Sequence, residues 1–132
     1  MRLIVTALTF LIGLFLILLG IAYLVQPDTV AAGVGLRPLD NQGFSTLRGD
    51  VFAFFTITGI CTVWGAWQRK GDLLLVPAIV MILVILGRIV SLAMDGTYDG
   101  FLVPVLAEAV IAGIVLWARI LLPHHHLDEV GD

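Results

Sequence analysis

A bundle of four membrane-spanning helices with no strands is predicted by three observations. Four apolar stretches, Leu3 to Val25, Phe44 to Trp67, Leu73 to Met94 and Phe101 to Leu122, each exceed the roughly 20 residues needed to cross a hydrocarbon core about 30 Å thick. The chain is 60% hydrophobic and 13% charged, with a mean hydropathy of +1.08, whereas a soluble domain is roughly half apolar and a quarter charged. A domain of 132 residues leaves too much surface exposed to hide that excess, so lipid is its solvent. Finally, the connections after the second and third stretches are short, which makes the last three helices antiparallel neighbours.

The first stretch follows Arg2 and resembles a signal peptide in that one respect. Its apolar run is longer than the roughly 7 to 15 residues of a signal core, so a retained helix is expected, although the small Ala31 and Ala32 suit a cleavage site. Gln26 to Gly43 is the one long connection. Within it Pro27, Asp28 and Thr29 read as a helix start and Gly33 and Gly35 as its end, giving a short interfacial helix. Gly33-Val34-Gly35 lacks the lysine and hydroxyl residue of a phosphate-binding loop. Gln68 to Asp72 is a tight turn, and Asp95 to Gly100 a short acidic loop. Residues 1–132 thus read as a single transmembrane domain, with 123–132 a tail.

Lysine and arginine near helix ends set the orientation. Arg2, Arg69, Lys70 and Arg119 fall at one end, against Arg37 with Asp28, Asp40, Asp95 and Asp99 at the other. Both termini are therefore expected in the cytoplasm, with Trp64, Trp67 and Trp117 at the cytoplasmic boundary. The net charge of −3 and the lack of a basic run give no reason to expect a nucleic-acid partner. Cys61, the single cysteine, excludes an intramolecular disulfide and a cysteine-type zinc site; it reads as a packed residue rather than a reactive thiol. His124, His125 and His126 follow Pro123 and read as a juxtamembrane tail, since three adjacent histidines make no closed metal site. No metal or cofactor is expected.

The informative residues are those that lipid penalises. An ionisable side chain at membrane depth costs several kcal/mol unless paired, hydrated or able to snorkel. From the helical rise of about 1.5 Å per residue, Arg48 lies roughly 6 Å deep, Asp50 and Arg88 roughly 9 Å and Glu108 roughly 10 Å, all in the outer leaflet. Arg88, Ser91 and Asp95 share one face of the third helix by their i, i+3, i+7 spacing. Asp50, Phe54, Thr58 and Cys61 share one face of the second. Arg48 points nearly opposite to Asp50, which suits a side chain that snorkels to headgroups. Gly87 and Ser91 on the third helix, with Ala109 and Gly113 on the fourth, are small residues four apart that suit close helix contact. The tripeptide Arg48-Gly49-Asp50 matches an adhesion motif but sits at a helix start rather than on an exposed loop.

Leu47-Arg48-Gly49-Asp50, Gly87-Arg88 with Ser91-Leu92, Asp95-Gly96 and Glu108 resemble a family of small bacterial four-helix membrane proteins known as domain of unknown function 4345. The resemblance covers nearly the whole chain. It implies a bacterial inner-membrane protein and supplies no activity.

Arg48, Asp50, Arg88, Ser91, Asp95 and Glu108 thus form the candidate site. One reading makes it a polar pocket open to the outer surface, with Arg88 meeting an anionic group and Glu108 or Asp50 a cationic or hydroxyl one. The ligand is then a small molecule or a lipid headgroup. A second makes Asp50, Arg88 and Glu108 an ion-pair network in an accessory or structural subunit, whose partner is a second copy or another membrane protein. An enzyme acting on a lipidic substrate would use Glu108 or Asp50 as acid or base, but the cluster holds no histidine, cysteine or metal-ligand spacing. Proton-coupled transport needs at least one such acid, and here no inverted repeat accompanies it.

Overall fold

The computed structural model describes residues 2–122, all of them helix or connecting turn. Helix α1 spans Arg2–Val25, α2 Pro27–Gly33, α3 Asn41–Trp67, α4 Gly71–Asp95 and α5 Leu102–Leu121. All but α2 are long and apolar enough to cross a membrane, and at most 28% of the most apolar window of any of them is buried. Much of the remaining apolar surface, including Leu3, Ile4, Leu83 and Ile120, faces outward. Exposure on that scale matches a solute whose solvent is hydrocarbon. The expected tail, with His124 to His126, lies outside the described residues.

α3 starts earlier than the apolar pattern suggests, at Asn41 rather than Phe44. Its start is set by a polar residue that hydropathy does not register: the Asp40 side chain accepts the Gly43 N–H at 2.9 Å and caps the helix. Asp40→Ala should lower stability by about 1 kcal/mol, read as a fall in melting temperature in detergent. Leu47–Val51 then forms a π turn before regular helix resumes at Phe52. α4 opens with a 3₁₀ turn, Gly71–Leu74.

The closest seam joins α1 and α3. A Cβ on Gly59 would lie 2.7 Å from the Gly13 carbonyl oxygen, and one on Gly13 would lie 2.7 Å from the Val63 nitrogen. Backbone thus packs on backbone, as small residues permit in membranes. The small residues expected to bring the third and fourth helices together do not: a Cβ on Gly87 or Gly113 meets nothing within 4 Å. Three buried hydroxyls on α1 and α3 are satisfied within their own helices, whereas the buried Thr56 Oγ1 has no hydrogen-bond partner among the described residues. Thr9, Thr58 and Thr62 donate to the carbonyls of Val5, Phe54 and Thr58 at 2.8, 2.6 and 2.7 Å.

The core has three layers along the bundle axis. At the basic end Val5 of α1 meets Leu74 and Ala78 of α4 and Val115 and Ala118 of α5. In the middle Leu16, Met81 and Ala112 meet, so three long helices still contribute. At the acidic end the layer is Tyr23, Ala31 and Leu47, with the Tyr23 ring stacked on Phe55 at 5.6 Å. That layer belongs to α1, α2 and α3 alone. Beyond Met81 no residue of α4 is buried, and before Ala112 none of α5. The acidic-end halves of α4 and α5 therefore form a hairpin beside the core, and the candidate site is built there.

Candidate functional site

Arg88 and Glu108 face each other across the α4–α5 hairpin. Arg88 Nε donates to Glu108 Oε1 at 2.9 Å and to Oε2 at 2.7 Å, and Nη2 donates to Oε1 at 2.7 Å. A guanidinium fork engaging both carboxylate oxygens is the strongest form of this pairing. The side chains are 30% and 15% exposed, so the pair is shielded by the two helices rather than by the core. Antiparallel helices joined by a short loop bring residues counted from that loop to equal depth, which places Arg88 opposite Glu108.

Arg88 has a third partner. Its Nη1 donates to the Tyr98 hydroxyl at 3.3 Å, and the Tyr98 ring is held edge-on against Phe101 at 5.5 Å. Tyr98 sits in the loop between α4 and α5, where Gly96 and Gly100 adopt positive φ, 85° and 84°. Those glycines let the chain reverse within a few residues and return Tyr98 over Arg88. Helical spacing cannot reveal this contact, because it crosses a loop. The one available signal was an aromatic hydroxyl ten residues beyond a guanidinium that lipid penalises.

The other expected members lie apart. Ser91 Oγ donates to Asp95 Oδ2 at 3.0 Å, tying the last turn of α4 to itself, so neither joins the Arg88 pair. Arg48 Nε donates to the Leu24 carbonyl at 3.1 Å, with its guanidinium 5.6 Å from the centre of the Phe44 ring. Leu24 lies in the last turn of α1, whose final carbonyls lack helical donors and carry the negative end of the helix dipole. The Arg48 Nε therefore caps α1. Asp50 is exposed and has no ion pair among the described residues. The expected network of Asp50 with Arg88 and Glu108 is thus corrected to a pair without Asp50. Asp50 lies within the π turn Leu47–Val51, where the 3.6-residue period that aligned it with Thr58 does not hold.

A cavity of about 580 Å³ opens beside the pair. Arg88, Tyr98 and Asp99 supply its polar wall, Val103 and Pro104 part of its apolar wall, and Gly33 to Gly35 at the end of α2 close it from the other side. Glu108 is behind Arg88 and does not line it. The cavity exists because the acidic-end core excludes α4 and α5, leaving a gap that the α2 turn spans. Its wall offers a guanidinium already neutralised by Glu108, a hydroxyl and, at Asp99, a carboxylate with no partner among the described residues. Such a set suits a hydroxylated or zwitterionic group better than a simple anion. Among the described residues no three histidine, cysteine, aspartate or glutamate side chains converge as metal ligands do.

The family described as Domain of unknown function (DUF4345) matches residues 4–119 of the chain. No curated protein and no solved structure matches it.

Proposed function

The chain belongs to the DUF4345 family, and on that premise we propose that it is a multi-pass protein of the bacterial inner membrane that binds a small ligand or lipid headgroup in its outer cavity. The observation that carries this reading is the cavity of about 580 Å³ where Arg88, Tyr98 and Asp99 meet an apolar wall. The end of α2 and both sides of the α4–α5 hairpin line it, and a membrane ligand with a polar head and an apolar body complements such a surface. Orientation with both termini cytoplasmic is supported by Arg2, Arg69, Lys70 and Arg119 at one end. Binding rather than catalysis is favoured because Glu108, held by three hydrogen bonds from Arg88, does not line the cavity where a substrate would sit, and a general acid or base must reach the proton it transfers.

A headgroup-labelled phosphatidylethanolamine, titrated into the protein in detergent, tests the reading. Tyr98→Phe removes one hydroxyl and should weaken binding roughly fivefold, one hydrogen bond being worth about 1 kcal/mol. Val103→Trp should weaken it more by filling the cavity; Val103 is 71% exposed, so the fold tolerates the larger ring. Equal affinity in the wild type and both variants would sink the proposal.

The Arg88–Glu108 fork also favours a second reading, a structural clamp that holds the hairpin. The two readings part on the double variant Arg88→Met with Glu108→Leu, which removes both charges and keeps the volume.

A further inference from the structure

The basic end carries a second site, independent of the outer cavity. α3 ends at Trp67 and the chain turns through Gln68, Arg69 and Lys70. Arg69 N–H donates to the Ala66 carbonyl at 3.3 Å and Lys70 N–H to the Gly65 carbonyl at 2.9 Å. This double closure ends a helix with a left-handed residue, usually glycine. Here that residue is Arg69, at φ 53°. A side chain in this conformation is strained, and backbone strain of this kind gathers where a ligand is held. The strained residue lines a cavity of about 290 Å³ together with Arg2, Thr6 and Leu122. Two arginines far apart in sequence, one on α1 and one in the turn after α3, thus line one concavity. Arg119, in the last turn of α5, adds a third positive charge to this end, and its buried Nε has no hydrogen-bond partner among the described residues.

The concavity continues into an apolar groove. A second cavity, of about 400 Å³, shares Leu3, Thr6 and Arg69 with the first and runs on along α1 to Phe10 and Leu11. A third, of about 310 Å³, shares Phe10 and Trp67 with the second and reaches Ile17 and Ile60. The rings of Phe10 and Trp67 lie 6.0 Å apart where the two grooves meet. From Leu3 to Ile17 the helical rise gives roughly 21 Å, longer than the roughly 15 Å depth of one leaflet's hydrocarbon. A pair of arginines at the mouth of an apolar groove that more than spans one leaflet has the shape and charge order of a phospholipid.

We propose that this groove between α1 and α3 binds an anionic phospholipid, its phosphate held by Arg2 and Arg69 and one acyl chain lying along Phe10 and Trp67. Basic pockets at helix ends on the positively charged side recognise such headgroups, and a lipid phosphodiester matches the arginine fork better than it matches lysine.

The test is thermal unfolding of the full chain in mild detergent with phosphatidylglycerol, with phosphatidylcholine of the same chains, or with inorganic phosphate. Phosphatidylglycerol should raise the melting temperature by several degrees, and the other two should not. Arg69→Gly is the telling variant. It should melt no lower than wild type in detergent alone, because glycine relieves the left-handed strain, yet it should lose the phosphatidylglycerol shift. Arg2→Gln should lose the shift too, and Ala7→Trp should diminish it by filling the groove from an exposed position. An equal shift with phosphatidylcholine, the same shift with inorganic phosphate alone, or a full phosphatidylglycerol shift in both arginine variants would each overturn the proposal.

Discussion

Gly59→Leu is expected to destabilise the protein by on the order of 3 kcal/mol or more, the usual upper range for overpacking a site that cannot relax. A Cβ at that position already lies 2.7 Å from the Gly13 carbonyl oxygen and 2.8 Å from the Ile17 nitrogen. Both are backbone atoms, so no rotamer change relieves the contact; α1 and α3 must separate. Separation would remove the acidic-end core of Tyr23, Ala31 and Leu47 and with it the Arg48 bond to Leu24. Gly13→Leu should act alike, since its Cβ meets the Val63 and Gly59 backbones. The controls lie on the other hairpin. Gly87→Leu and Gly113→Leu add side chains where nothing lies within 4 Å, and exchanging glycine for leucine in a helix favours it by close to 1 kcal/mol. Those variants should melt at or above the wild-type temperature in detergent. Loss of stability at Gly87 comparable to that at Gly59 would show that the close seam is misassigned.

This contrast marks where sequence reading stops. Small residues on one helix face permit close approach, and both Gly13 with Gly20, seven apart on α1, and Gly87 with Ser91, four apart on α4, offer such a face. Which face is used depends on how four apolar cylinders pair, and hydropathy is nearly blind to that choice inside lipid, where every face is apolar. The spans themselves were legible because length and composition answer to the thickness of the hydrocarbon core. The start of α2 was legible from Pro27 and its end from Gly35, whose φ is 78°. The start of α3 was not, because Asp40 and Asn41 are polar and an apolar-run criterion begins only at Phe44.

The same division runs through the site. Counting residues from the loop between the third and fourth spans brings Arg88 and Glu108 to one depth, and the structure joins them. Counting along the second span misplaces Asp50, since 3.6 residues per turn does not hold across the π turn at Leu47–Val51. Tyr98 and Asp99 lie in a loop whose path is set by Gly96 and Gly100, so no periodicity reports that they turn back over Arg88. The cavity is further from the sequence still. It follows from an absence of packing, the failure of α4 and α5 to join the acidic-end core, and an absence leaves no residue pattern to read.

Removing either partner of the Arg88–Glu108 pair is expected to cost on the order of 3 kcal/mol, because the survivor is left as an uncompensated charge in a weakly polar setting. Arg88→Ala leaves Glu108 without any of its three close contacts. Glu108→Ala leaves Arg88 with only the Tyr98 hydroxyl. The double variant Arg88→Ala, Glu108→Ala should cost less than the sum of the two, by roughly 1 to 3 kcal/mol, the range seen for directly coupled side chains. Additive losses in detergent unfolding would mean that the fork contributes nothing as a pair. A second double variant, Arg88→Met with Glu108→Leu, goes further. Apolar residues of similar volume replace buried ion pairs at little cost or at a gain, so this hairpin should melt near or above the wild-type temperature. If that stable variant also binds the labelled phosphatidylethanolamine as tightly as wild type, the charges serve the hairpin alone. If it is stable and binding falls tenfold or more, a loss of about 1.4 kcal/mol, then Arg88 is kept at membrane depth for the ligand, and Glu108 is there to hold its guanidinium at the cavity wall.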